Sequence, residues 1–144
     1  MKDSSYKVRL LPHLTKFVTK EFFEGQTEPF KIREDSVIGK AFIRILMDKR
    51  KQKPNSNWDE YTHSITVYLS QDMMDHSPRA GRLEAINQDL HHLFKMALLI
   101  WIRCNSRFNI KVSESIRTFL DSYGIEEAEY PHATAYKLWQ RHQH

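Results

Sequence analysis

From Arg82 to about Asn105 the apolar residues Leu83, Ile86, Leu90, Leu93, Ala97, Ile100 and Cys104 recur at alternating spacings of three and four. That is the period of one face of an α-helix, and it predicts a single long helix here. Such a helix runs for roughly 36 Å at its ordinary rise, about the diameter of a small domain, so the rest of the chain has to be arranged along it. Its second half adds Met96, Leu98, Leu99, Trp101 and Ile102. It is therefore apolar nearly all round, as expected of the central post of a core. The same alternation is also the spacing of a coiled-coil seam, so a core stripe and a homodimer seam both remain open.

The segments before it alternate in type. Tyr6 to Leu11 places Tyr6, Val8 and Leu10 against Lys7 and Arg9, the period of a half-buried strand. Pro12 suits a first helical turn, and Leu14, Phe17, Val18 and Phe22 then face inward with Lys16 and Lys20 outward as far as about Glu24, where Gly25 ends the helix. Phe30 and Ile32 add a short extended piece. Asp35 or Ser36 can cap a second helix, with Ile38, Ala41, Phe42, Ile45 and Leu46 inward and Lys40 and Arg44 outward, running out through Lys49, Arg50, Lys51 and Lys53. Pro54 to Asn57 reads as an exposed connector. His63 to Ser70, with Ile65, Val67 and Leu69 on one face, is the clearest strand and is expected to pair with the first. Gln71 to Gly81 reads as a loop.

Two shorter helices follow the long one. From Ser113, Ile116, Phe119, Leu120 and Tyr123 share a side, Gly124 permits the left-handed turn that ends a helix, and Ile125 folds back on the apolar face. After an acidic loop, Pro131 opens a last helix with Ala135, Leu138, Trp139 and His142 on one stripe and Lys137, Gln140, Arg141 and His144 on the other. The expected fold is α+β and mostly α, with about five helices and a small two-stranded β element. Residues 1–144 are expected to form one domain, because a chain of 144 residues is long enough for one core and short for two.

Several classes of function lose support on composition. The longest apolar run, Met96 to Ile102, is far short of the ~20 residues that span a bilayer. Lys7 and Arg9 interrupt the early apolar stretch that a secretory signal would need. The one cysteine, Cys104, cannot form an intramolecular disulfide, and a reducing cytoplasm fits best. His91 and His92 are adjacent and point about 100° apart on a helix, so they do not chelate one ion together. Asp72, Asp75 and His76 are explained equally well by a polar loop, and no metal or cofactor is expected. The chain has no glycine-rich phosphate loop, no Gly-x-Ser-x-Gly elbow and no His-Glu-x-x-His helix. Asp59 and Glu60 beside Trp58 are a pair of carboxylates in an expected loop, and such pairs are usually solvated, so no catalytic role is expected.

Charge supplies the positive argument. The formal net charge is +4, and residues 1–53 hold 13 Lys and Arg against 7 Asp and Glu. A polyanion would be attracted first to that third of the chain, although lysines there also serve simply to keep helices soluble.

The run Ile116-Arg117-Thr118-Phe119-Leu120, the corner Tyr123-Gly124-Ile125 and the stretch Ala135-Tyr136-Lys137-Leu138-Trp139-Gln140-Arg141 together resemble the helix-turn-helix units of small bacterial DNA-binding proteins. The resemblance covers about a fifth of the chain, within 113–143. It implies that Tyr136, Lys137, Gln140 and Arg141 face a groove, with Arg and Gln able to make paired contacts to guanine and adenine edges, while Leu138 and Trp139 stay in the core. Phosphate contacts would come from Lys16, Lys20, Lys40, Arg44, Lys49, Arg50, Lys51 and Lys53. The expectation is a cytoplasmic, bacterial-type accessory or regulatory protein that binds nucleic acid, DNA more than RNA, without catalysis and without a membrane. The alternative is an assembly subunit that forms a homo-oligomer through the long helix or the aromatic last helix, where Tyr130, Tyr136, Leu138 and Trp139 crowd together.

Overall fold

The computed structural model describes residues 4–28, 30–32, 36, 39–40, 63–69 and 80–143. The chain divides into two compact units, Met1–Leu90 and His91–His144.

In the first unit, strand β1 (Ser4–Leu10) leads directly into helix α1 (Pro12–Phe23), followed by strands β2 (Phe30–Lys31) and β3 (His63–Leu69). Pro12 occupies the first turn of α1, where its missing N–H costs nothing. Gly25 ends the helix at φ 83°, a conformation that side chains with a Cβ avoid. The helix buries His13, Leu14, Phe17, Val18 and Phe23, the spacing anticipated except that Phe23 rather than Phe22 is the inward ring. Phe23 stacks on Phe30 with centroids 4.6 Å apart and planes within 2°.

The expected two-stranded element is corrected to a three-stranded sheet in the order β1-β3-β2. β1 and β3 are antiparallel, with Ser4 opposite Leu69 and Leu10 opposite His63. β2 joins the other edge of β3 in parallel, Phe30 against Val67 and Lys31 against Tyr68. Two residues of strand carry little period-two signal, but Phe30, buried against Phe23, holds the segment at the sheet edge. Leu10, Phe30, Ile32, Ile65 and Val67 are all buried, and α1 packs against β3.

The described residues form four helices rather than the five expected. Of the helix expected after Asp35, only Ser36, Gly39 and Lys40 are described. There the Gly39 N–H donates to Ser36 Oγ at 3.0 Å and the Lys40 N–H to the Ser36 carbonyl at 2.9 Å, as an N-cap serine requires.

Helix α2 (Ala80–Ser106) gives its first part to the first unit and its remainder to the second. The second unit is completed by α3 (Val112–Ser122) and α4 (His132–Arg141). The inward face of α2 differs from the one expected. Leu90, Phe94, Leu98 and Ile102 are buried, each at 1% exposure or less, whereas Ile100 is 57% exposed and Cys104 is exposed. The segment has two apolar sides, and the core takes the one carrying Phe94, while Trp101 is left 42% exposed. Phe94 meets Phe119 at 5.7 Å and Tyr130 at 5.0 Å, both edge to face, and Phe119 in turn meets Tyr123 at 5.1 Å. Each such pair contributes about 0.5–1.5 kcal/mol beyond the area it buries.

Both connections in this unit begin with the same closure. After α3, the Gly124 N–H donates to the Asp121 carbonyl and the Ile125 N–H to the Leu120 carbonyl, at 3.0 and 2.9 Å. Gly124 has φ 67°, and Ile125 and Leu120 are both buried, which together make a Schellman motif. After α2 the equivalent left-handed residue is Asn109, φ 62°, with the Asn109 and Ile110 amides donating to the Ser106 and Asn105 carbonyls.

A Cβ at Gly124 would meet nothing within 4 Å, so Gly124→Ala is expected to destabilise through backbone strain alone, by about 1 kcal/mol. Phe94→Ala, which opens a hole at the centre of the aromatic cluster, is expected to cost about 3–5 kcal/mol. Urea unfolding monitored by circular dichroism measures both.

Candidate nucleic-acid interface

Helix α4 is positioned by the acidic loop that precedes it. The Glu127 carboxylate accepts the His132 N–H at 3.1 and 3.2 Å and lies 3.5 Å from His132 Nε2. It thus satisfies a free amide at the start of the helix and complements the positive end of its dipole. Glu129 Oε1 accepts the Glu126 N–H at 2.9 Å, while the Glu126 carbonyl accepts the Glu129 and Tyr130 amides. These carboxylates brace the backbone of the loop. The loop is also long: it runs from Tyr123 to Pro131 between α3 and α4, whereas the turn of a helix-turn-helix unit has about three or four residues.

Ten residues of helix then divide cleanly by face. Ala135, Leu138 and Trp139 are buried, at 0, 7 and 9% exposure. Tyr136, Lys137, Gln140 and Arg141 are all exposed, at positions i, i+1, i+4 and i+5, which lie side by side on one flank of a helix. The outward set Tyr136, Lys137, Gln140 and Arg141 is the one expected from sequence, whereas His142, expected on the inward stripe, is the C-cap and is exposed. Arg141 also sits in the last turn, where a cation is favourable to the helix dipole without any ligand.

Among the described residues no carboxylate pairs with these cations. Lys137 and Arg141 form no ion pair among the described residues. Arg117 on α3 is the contrast, lying 3.3 Å from Glu114 and 3.8 Å from Asp121, so it has little to offer a phosphate. The cations expected from the first unit divide differently. Lys20 and Lys40 are exposed and Lys16 is half-buried, while Arg44, Lys49, Arg50, Lys51 and Lys53 lie outside the described residues.

Three further unpaired cations were not singled out in the sequence. Arg103, Arg107 and Lys111 are exposed and form no ion pair among the described residues. The signal that could have found them is plain in hindsight: from His91 to Val112 the chain has Lys95, Arg103, Arg107 and Lys111 and no Asp or Glu.

The positions considered for other chemistry offer less. Among the described residues no group of three or more His, Cys, Asp or Glu is placed to hold a metal ion, and no helix is long and apolar enough to cross a membrane. Trp58, Asp59, Glu60, Asp72, Asp75 and His76 lie outside the described residues. His91 is half-buried and His92 exposed.

His91 has its pKa lowered from 6.5 to about 4, chiefly by burial and secondarily by the positive charge of Lys95. Between those values the unfolded chain takes up a proton that the folded chain refuses, so the stability contributed by neutral His91 is present above 6.5 and is lost as pH falls toward 4. In His91→Gln the urea midpoint is expected to fall less steeply than in the wild type across that window; parallel curves would show that His91 is not the group concerned. Comparison of the chain with protein-family models, with curated proteins and with solved structures found no match.

Proposed function

We propose that this chain is a non-catalytic nucleic-acid-binding protein of an accessory or regulatory kind, acting on DNA more readily than RNA, and that α4 is its principal contact. The observation that carries the reading is the outward row of Tyr136, Lys137, Gln140 and Arg141 opposite a buried row of Ala135, Leu138 and Trp139. A helix needs one side anchored in a core to present the other rigidly. This one joins two permanent donors of charge to a Gln and a Tyr, side chains able to hydrogen-bond base edges or phosphates. Lys16, Lys20 and Lys40, with the cations at 44–53, would add non-specific phosphate contacts. An exposed thiol at Cys104 accords with a reducing, cytoplasmic setting.

A second reading, assembly as a homo-oligomer, draws on the exposed apolar side chains of α2 and α4, Met96 at 44%, Ile100 at 57%, Trp101 at 42% and Tyr136 at 45%. The two readings differ in their response to salt. Under the first, affinity for a DNA duplex falls steeply with salt, and the double variant Lys137→Ala, Arg141→Ala both weakens binding and flattens the log–log salt slope by about two. Fluorescence anisotropy across a salt series measures this. Self-association that survives high salt, with no duplex binding, would favour the homo-oligomer instead.

A further inference from the structure

The corner between α2 and α3 displays an aromatic ring among cations that form no ion pair among the described residues. Phe108 is 77% exposed, more than any other large hydrophobic residue among those described. Its backbone is held in the closing turn of α2. The Phe108 and Ile110 amides both donate to the Asn105 carbonyl, at 3.0 and 3.2 Å, and the Asn109 amide donates to the Ser106 carbonyl at 3.1 Å. Asn109 takes the left-handed conformation that this closure needs. The ring is therefore presented by an ordered turn.

The residues around it determine what it can face. Met96, Ile100, Arg103 and Arg107 follow one another at i, i+4, i+7 and i+11, a single stripe of α2 and the turn that ends it. All four are exposed. Two apolar side chains are thus followed by two cationic ones along one line, with Phe108 next to Arg107 and Lys111 just beyond Ile110. A bilayer-facing helix keeps its cations to the sides of a continuous apolar face, which this stripe does not do. A second copy of the same surface would set unpaired Arg103 and Arg107 against cations of its own kind, with no carboxylate between His91 and Val112 to offset them. An exposed ring adjoining cations suits nucleotides, each an apolar π-face attached to a phosphate.

We infer that this corner is a binding surface for unpaired nucleotides, with Phe108 stacking on a base and Arg103, Arg107 and Lys111 holding the adjoining phosphates. The inference rests on the nucleic-acid reading of this protein and adds a ligand class to it: nucleic acid that contains a single-stranded segment. Stacking of this kind is tolerant of sequence, so any unpaired base should serve.

The full-length protein is titrated by anisotropy with a blunt DNA duplex, with the same duplex carrying an oligothymidylate extension, and with oligothymidylate alone. The extension is expected to tighten binding by about tenfold, within the range for one stacked base. Phe108→Ala should abolish that gain without changing the affinity for blunt duplex, and Phe108→Trp should retain it. Because Phe108 is exposed, neither variant removes a core side chain. If blunt duplex binds but the extension gives no gain, or the gain survives in Phe108→Ala, the corner is not the site and the α4 reading stands alone. If oligothymidylate binds through Phe108 while blunt duplex does not bind, the corner is supported and the groove role of α4 fails. Absence of binding to all three probes overturns both. So does Phe108-dependent adsorption to phosphatidylserine vesicles, or Phe108-dependent dimerisation, in place of the oligothymidylate gain.

Discussion

Phe94 is fully enclosed and touches both Phe119 on α3 and Tyr130 in the segment that leads into α4. Those two contacts draw the later helices of the second unit onto one side of α2, and much else there follows from them. With Phe94, Leu98 and Ile102 turned inward, Ile100 and Cys104 have to lie outside, because positions two residues apart on a helix differ by about 200°. With Tyr130 buried beside Phe94, Pro131 and the start of α4 are placed as well. The interior chemistry also responds: burial pushes the Tyr130 phenol above its ordinary pKa of 10.0. The core thus chooses the surface by elimination.

The charges of that unit fall into two groups. Glu114, Asp121, Glu127 and Glu129 are engaged locally, the first two with Arg117 and the others with backbone amides or His132. Arg103, Arg107, Lys111, Lys137 and Arg141 form no ion pair among the described residues. Exposed pairs such as those of Arg117 add little to stability, about 0–1 kcal/mol each, yet they matter for binding because they remove a cation from competition for an external anion. Counting lysines and arginines along the chain misses this distinction. By count, residues 107–144 are neutral, with five of each sign. By pairing among the described residues, the same segment keeps Arg107, Lys111, Lys137 and Arg141 available.

Helix boundaries in this protein were legible because their causes are local. Pro12, Gly25 and Gly124 each act on a backbone within a few residues of themselves, and each stands at the boundary that its chemistry implies. The outward row of α4 was legible for the same reason, since Ala135, Leu138 and Trp139 fall on one stripe of ten residues and leave one way to orient the helix. The turn at Asn109 was harder to see. Asparagine tolerates the left-handed region without announcing it as glycine does, and Phe108, read in isolation, looks like another core residue. The extended piece at Phe30 was legible but its place in the sheet was not, because its two residues are held by a parallel pairing with β3 across the intervening 32–62 stretch.

Among the described residues the amino-acid sequence alone determined which segments are helical, where those helices stop, and which flank of the last one faces water, because capping, left-handed turns and a short amphipathic period act over one or two turns. Tertiary structure decided which of the two apolar sides of α2 became core, which strand edge β2 joined, and which cations remained unpaired. Each of those outcomes depends on residues far apart in the chain meeting in space: Phe94 with Phe119 and Tyr130, and Phe23 with Phe30 beside β3. No local pattern encodes such a meeting, since its free energy comes from surfaces that exist only once both partners have folded.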